Sequence, residues 1–159
     1  MSYQPLFAKI QNELSKMDVA VQQNREFLNI LQTINCDSTA YQGILGGIAM
    51  NLQSFYTGAE RIFTAVAKGI DGSRPQGEKW HQDLLDQMSV EIPDVRPALI
   101  QADTLVDLDK LLGFRHFVQN AYSYTLEPDK VLENAKIVSQ CFVRLTRDYR
   151  NLQMSLMDK

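Results

Sequence analysis

One stretch of the chain, residues 111–126 with the sequence LLGFRHFVQNAYSYTL, places polar and titratable side chains inside an apolar run. Arg115 carries a permanent positive charge on a planar group whose geometry suits phosphate oxygens. The neighbouring His116 can exchange a proton near neutral pH. Together the two side chains could stabilise charge on a phosphodiester and accept the proton of a 2′-hydroxyl. The alternative interpretation is a polar helix face that is simply solvated, which is the common outcome for such patterns.

On a helix, this segment separates into an apolar arc and a polar arc. With about 100° per residue, the polar arc holds, in angular order, Arg115, Gln119, Ser123, His116 and Asn120. His116 and Asn120 are neighbours one turn apart. Tyr122 follows Arg115 by seven residues, so we expect it nearly above the arginine. The fourth helix is predicted to run from about Asp103 to about Tyr124.

Helical periodicity dominates the rest of the chain, and strand signals are almost absent. The other apolar stripes predict helices at about residues 7–31, 41–70, 79–89 and 128–156. Asp37 or Ser38 is expected to cap the second helix. That helix contains three glycines that should allow close approach of another backbone, Gly43, Gly46 and Gly47. The pattern predicts an all-α, antiparallel up-and-down bundle of four to five helices, as a single domain over residues 1–159.

Composition excludes several classes of protein. The net charge is −3, which disfavours general binding of nucleic acid, although a local basic cleft is compatible with it. Cys36 and Cys141 show neither metal spacing nor a disulfide framework, and both are expected to be small buried hydrophobes. No phosphate-cradling glycine loop or zinc motif occurs, so no cofactor and no metal site is predicted. No window is apolar enough to span a membrane or to form a signal core, so a reducing cytoplasm is expected.

Four further residues receive mainly structural interpretations. Trp80 is expected to anchor the short helix in the core. His81 is expected to cap or pack that helix, because it has no partner nearby in sequence. Glu60 and Arg61 are expected to be a solvated pair on the second helix.

The string RHFVQNAY, from Arg115 to Tyr122, resembles the signature helix of HEPN-domain proteins. It is most similar to the HepT-like toxins, which are partnered by minimal nucleotidyltransferase (MNT) antitoxins. That family's pattern is an arginine, four residues, a histidine, any residue and a tyrosine. The strings GFRHF, AYSY, ERIF, GEKWH with the following LL, and RPALI also read like the family. The resemblance therefore covers most of the chain between about residues 42 and 132.

The resemblance implies a helical bundle that forms a homodimer, with the signature helices of two subunits meeting across a cleft. Many members are metal-independent ribonucleases in which the arginine and histidine are catalytic, and the antitoxin can transfer AMP to the tyrosine. By position, Arg115 matches the arginine and Tyr122 the modified tyrosine. Asn120 occupies the histidine position, and asparagine cannot take or give a proton. His116, one turn away, is the expected substitute.

Two functions from different classes follow. The first is a toxin-like, metal-independent endoribonuclease in which Arg115 binds the phosphate, His116 or Asn120 orients or activates the 2′-hydroxyl, and Tyr122 lines the site and accepts AMP. Its partners would be a second copy of the chain, an MNT-type antitoxin and the RNA substrate. The alternative is a catalytically inactive HEPN binding module that docks a nucleotidyltransferase or binds nucleotide. A third interpretation, a purely structural helical domain, has no site.

Overall fold

The computed structural model describes residues 2–122 and 125–158. Its helices are α1 (Gln4–Leu31), α2 (Thr39–Val66), α3 (Trp80–Met88), α4 (Ala102–Gln119) and α5 (Pro128–Met157). A π-helical turn at Ala67–Asp71 extends α2. Within the described ranges, the β-pairing consists of one isolated bridge between Ile92 and Arg96. The predicted all-α helical bundle is confirmed. None of the helices in these ranges combines the length and apolar character needed to span a membrane.

Helix α2 lies at the centre of the bundle and contacts each of the other four helices. Its packing on α1 explains a polar residue in the apolar stripe of α1. Asn24 is buried, and its Oδ1 accepts a hydrogen bond of 2.9 Å from Asn51 Nδ2 on α2. Because a buried amide oxygen must be hydrogen-bonded, this pair makes the polar position compatible with the core. Ser38 caps α2, since its Oγ accepts from the Tyr41 backbone N–H at 3.1 Å.

None of the three glycines Gly43, Gly46 and Gly47 lies against another backbone, so the predicted backbone approach is wrong. A Cβ atom added at Gly43 or Gly46 would have open space, and one added at Gly47 would lie 3.0 Å from the Phe27 ring. The closest packing occurs at Gly58, where a Cβ would lie 2.7 Å from Met17 Cγ on α1. The missing side chain at Gly58 therefore lets α1 and α2 approach closely.

A buried ion pair fixes the segment that leads into α4. The Arg96 side chain is fully buried, and Nε and Nη2 donate to Asp71 Oδ1 and Oδ2 at 2.6 and 2.8 Å. The remaining guanidinium hydrogens are donated to the backbone carbonyls of Val90, Pro97 and Gln87. All five donors of Arg96 are thus satisfied, as a buried guanidinium requires.

Ion pairs and hydrogen bonds connect helix α4 to α5 along their shared face. Asp107 accepts from Arg144 Nη1 at 2.8 Å, and Asp148 accepts from the Thr104 hydroxyl at 2.6 Å. Nearer the surface, hydrogen bonds from Arg147 lower the pKa of Asp103 to about 2. These contacts fix the axial position of α4, which carries the candidate site.

Helix α4 ends five residues earlier than predicted. The last helical residue is Gln119, and the Asn120 side chain donates from Nδ2 to the His116 carbonyl at 3.0 Å. Asparagine competes in this way with backbone hydrogen bonds, so it favours the end of a helix over its interior. Residues 123 and 124, which the prediction placed on this helix, lie outside the described residues. Of the two cysteines, Cys141 is buried as predicted, whereas Cys36 is exposed, contrary to prediction.

Candidate functional site

Arg115 lies on α4, partly buried, at an open groove between α4 and α2. Two cavities of about 300 and 350 Å³ make up this groove, and both are lined by Thr57, Arg61 and Arg115. The first also contains Gln53, Ser54 and Gln119, and the second contains Lys9, Glu13, Glu60, Thr64 and Trp80. We call the two cavities together the arginine groove. They bring two guanidinium groups to one surface.

The two arginines differ in how they are held. Arg61 is largely exposed, and its Nη1 forms an ion pair of 3.2 Å with Glu13 Oε1. Within the part of the chain that the structure describes, Arg115 has neither a hydrogen bond nor an ion pair. A partly buried guanidinium without a partner has its forked donors available for an anion.

A buried phenol lies in the electrostatic range of Arg115. The hydroxyl of Tyr56 is buried and has no hydrogen-bond partner among the described residues. Burial, and then the negative charges of Glu60 and Asp109, raise the pKa of Tyr56 above its ordinary value, while Arg115 acts in the opposite direction. Tyr56 is therefore neutral in the folded protein, and the positive charge of Arg115 is not compensated by it.

His116 does not share the arginine groove. It is exposed on another face of α4, where it lines a cavity of about 290 Å³ between α4 and the start of α3. We call this the imidazole cavity; its other lining residues are Glu78, Lys79, His81, Gln82, Asp109, Leu112 and Gly113. Because consecutive helical residues point about 100° apart, Arg115 and His116 open into different cavities.

His81 is the residue that the sequence interpretation undervalued. Its Nδ1 lies 2.5 Å from Glu60 Oε2, and its ring stacks on Trp80 with centroids 3.6 Å apart. The ring also meets His116 edge to face, with centroids 6.0 Å apart and planes at 89°. Glu60 is buried rather than solvated, so that expectation is corrected, whereas Trp80 is partly buried and packs against the core as predicted. No local signal could have found the Glu60–His81 contact, since 21 positions separate the two residues.

A family model for HepT-like proteins matches residues 47–156, which is more than half of the chain. The chain belongs to the HepT-like family of the HEPN superfamily. No curated protein and no solved structure matches it. The matched range contains all of the arginine groove except Lys9 and Glu13, and the whole of the imidazole cavity.

The remaining two candidate residues of this HepT-like chain lie at and beyond the end of α4. Asn120 is exposed, with its amide bonded to the His116 carbonyl. Tyr122 lies past the helix, 71% exposed, and its backbone carbonyl accepts from Thr125 N and Oγ. The predicted position of Tyr122 above Arg115 on a continuous helix is therefore wrong, because the helix stops at Gln119.

In the part of the HepT-like chain that the structure describes, the titratable residues do not form a metal site. No group of three or more histidine, cysteine, aspartate or glutamate side chains within residues 2–122 and 125–158 is arranged to hold a metal ion. The structure brings together Arg115 with Arg61, and His116 with His81 and Glu60. Neither Asn120 nor Tyr122 is a lining residue of the arginine groove or of the imidazole cavity.

Proposed function

We propose that this HepT-like chain is a toxin-like, metal-independent endoribonuclease that acts in the cytoplasm as a homodimer. The observation that carries the proposal is the convergence on one open groove of Arg61 and the partly buried Arg115, which has no ion-pair partner among the described residues. Two guanidinium groups on one surface are suited to a polyanion, because charge-assisted hydrogen bonds to phosphate are strong and directional. Family membership supports a toxin-like role.

The groove reconciles RNA binding with the acidic net charge. Besides the two arginines, its first cavity is lined by Met50 and by the neutral polar side chains of Gln53, Ser54, Thr57 and Gln119, with no carboxylate. In the second cavity, both carboxylates have partners: Glu13 is paired with Arg61 and Glu60 with His81. A local excess of positive charge is sufficient to attract a strand of RNA, since the field near the surface governs such binding.

In the proposed reaction, Arg115 binds an RNA phosphate and His116 takes the proton of the attacking 2′-hydroxyl. Asn120 has no proton to exchange and would serve only to hold the end of α4 beside His116. The chemistry needs positioned charge and proton transfer, both of which these side chains can supply without a metal.

Tyr122 is the proposed site of regulation by an MNT-type antitoxin. It is exposed and lies outside the helix, so a second protein can reach the phenol. In this step the phenolic oxygen would form a bond to the α-phosphorus of ATP as pyrophosphate leaves, and the antitoxin would remove the phenolic proton. A bulky anionic adduct near the end of α4 would repel an RNA strand.

Salt-dependent RNA binding tests the arginine groove. For single-stranded RNA, the slope of log K against log salt should become shallower by about 0.7 for each lost phosphate contact. We expect a change of about 0.7 for Arg115→Ala and about 1.4 for Arg61→Ala/Arg115→Ala, measured by fluorescence anisotropy. Arg25→Ala removes an exposed arginine of α1 outside the groove and is the matched control. Equal slopes for the double variant and wild type would refute the groove as the RNA site.

A second candidate, the inactive binding module, is favoured by one observation. Arg115 and His116 open into different cavities within one subunit, so they do not face one phosphate directly. Incubation of the purified protein with labelled single-stranded RNA and a metal chelator separates the two candidates. Cleavage that Arg115→Ala weakens supports the ribonuclease, whereas binding without any cleavage supports the module.

A further inference from the structure

The chain contains two histidines, and the fold brings both to one cavity. His81 lies on α3 and His116 on α4, yet their rings meet edge to face at a centroid distance of 6.0 Å. Cleavage of RNA by its own 2′-hydroxyl requires one group to take a proton and another to give one. Two imidazoles that face the same space can supply both groups, since histidine side chains serve as acids and as bases in catalysis.

The buried carboxylate of Glu60 prepares His81 for one of these roles. Glu60 Oε2 bonds to His81 Nδ1, and the Glu60 side chain is only 7% exposed. A carboxylate in this position fixes the orientation of the ring, and because Nδ1 is bonded to Glu60, Nε2 is the ring nitrogen that can give a proton to a substrate. Among the described residues, His81 Nε2 has no hydrogen-bond partner. This nitrogen is not fully buried, so it is accessible to solvent. Trp80 covers one face of the ring and limits its rotation.

The imidazole cavity adjoins the arginine groove through two pairs of consecutive residues. Trp80 and Arg115 line the groove, and the residues that follow them, His81 and His116, line the cavity. A strand that crosses the Trp80–His81 stack would have one phosphate at Arg115 and a neighbouring phosphate in the imidazole cavity, beside both rings. Lys79 brings a positive charge to the cavity, which the carboxylates of Glu78 and Asp109 also line, and Asp109 accepts a hydrogen bond from Gln82 Nε2.

We propose that His81, held by Glu60, is the general acid of the reaction, and that the scissile phosphate lies in the imidazole cavity. This inference rests on the proposed ribonuclease function. His116 takes the 2′-hydroxyl proton as the 2′-oxygen bonds to phosphorus. The bond between phosphorus and the 5′-oxygen breaks, and His81 Nε2 gives its proton to that oxygen. The products are a 2′,3′-cyclic phosphate and a 5′-hydroxyl, and exchange with water restores both imidazoles.

Replacement of the 5′-oxygen by sulfur provides the test, because a thiolate leaves without being protonated. His81→Asn keeps an amide N–H for Glu60 but cannot act as an acid toward the leaving oxygen. We expect its kcat on ordinary RNA to fall roughly 100-fold or more, with KM little changed. On RNA with a 5′-bridging sulfur, His81→Asn should cleave nearly as fast as wild type. His116→Asn should be slow on both substrates, and Arg115→Ala should mainly raise KM.

Gln22→Ala is the control, because Gln22 is exposed on α1 and lines neither the arginine groove nor the imidazole cavity; it should behave like wild type on both substrates. Circular dichroism and thermal unfolding check each variant. If His81→Asn does not fold, Glu60→Gln replaces it, with the same expected contrast between the oxygen and sulfur substrates.

Every outcome of this test either supports or overturns the assignment of His81 as the general acid. Wild-type kcat for His81→Asn on ordinary RNA, or equal losses on the two substrates, would overturn the role of His81 and leave the ribonuclease function standing. If the wild-type protein cleaves neither substrate, both proposals are overturned.

Discussion

The buried ion pair between Arg96 and Asp71 offers a quantitative test of the fold that positions α4. Asp71→Ala removes both acceptors, at 2.6 and 2.8 Å, from a guanidinium that is fully buried. An uncompensated buried charge costs about 3–5 kcal/mol when one partner of such a pair is deleted. We therefore expect the free energy of unfolding of Asp71→Ala to fall by about that amount.

Calorimetry and urea unfolding measure the loss. For a chain of this length, each kcal/mol lowers Tm by roughly 2–4 °C, so the expected decrease in Tm is roughly 6–20 °C. The slope of the free energy of unfolding against urea should not change, because the folded surface remains the same. Asp71→Asn keeps one acceptor oxygen, so its Tm should lie between those of wild type and Asp71→Ala.

Arg61→Ala is the matched control, because it breaks an ion pair whose arginine is 63% exposed. Exposed pairs contribute about 0–1 kcal/mol, so this variant should be nearly as stable as wild type. If Asp71→Ala lost no more stability than Arg61→Ala, water would have to reach Arg96 after the substitution. The argument from burial would then be refuted.

Two further predictions concern packing and pH. Gly43→Ala should raise the free energy of unfolding by about 0.5–1 kcal/mol, because a Cβ there has open space and alanine favours helix. Gly58→Ala should lower the free energy of unfolding by about 1–2 kcal/mol, because its Cβ would clash with buried Met17. Equal changes in the free energy of unfolding of Gly43→Ala and Gly58→Ala, measured in urea, would contradict this. Hydrogen bonds from Arg147 lower the pKa of Asp103 from 3.8 to about 2, so the carboxylate stabilises the folded state above about pH 4 and loses this contribution toward pH 2. Asp103→Asn should therefore flatten the fall in Tm between about pH 4 and pH 2, and an unchanged pH dependence would disprove the assignment.

The helices could be predicted from local sequence patterns. The stripe of α1 predicted a helix that the structure places at Gln4–Leu31, and one of the two candidate caps, Ser38, caps α2. Periodicity and capping depend on residues within a turn or two of each other, so a single sequence contains the information. The end of α4 was missed because apolar periodicity continued past Asn120, whereas hydrogen bonding of the Asn120 side chain ends the helix there.

The sequence by itself determined that this protein is helical, that Arg115 and His116 share a helix, and that the chain resembles HepT-like proteins. Only the tertiary structure decided which side chains meet: Arg61 with Arg115 along one groove, and Glu60 with His81 beside His116. These contacts join different helices, and their geometry depends on how α2, α3 and α4 cross. Helix crossing is set by close packing of side chains from the whole core, and no local spacing in the sequence encodes it.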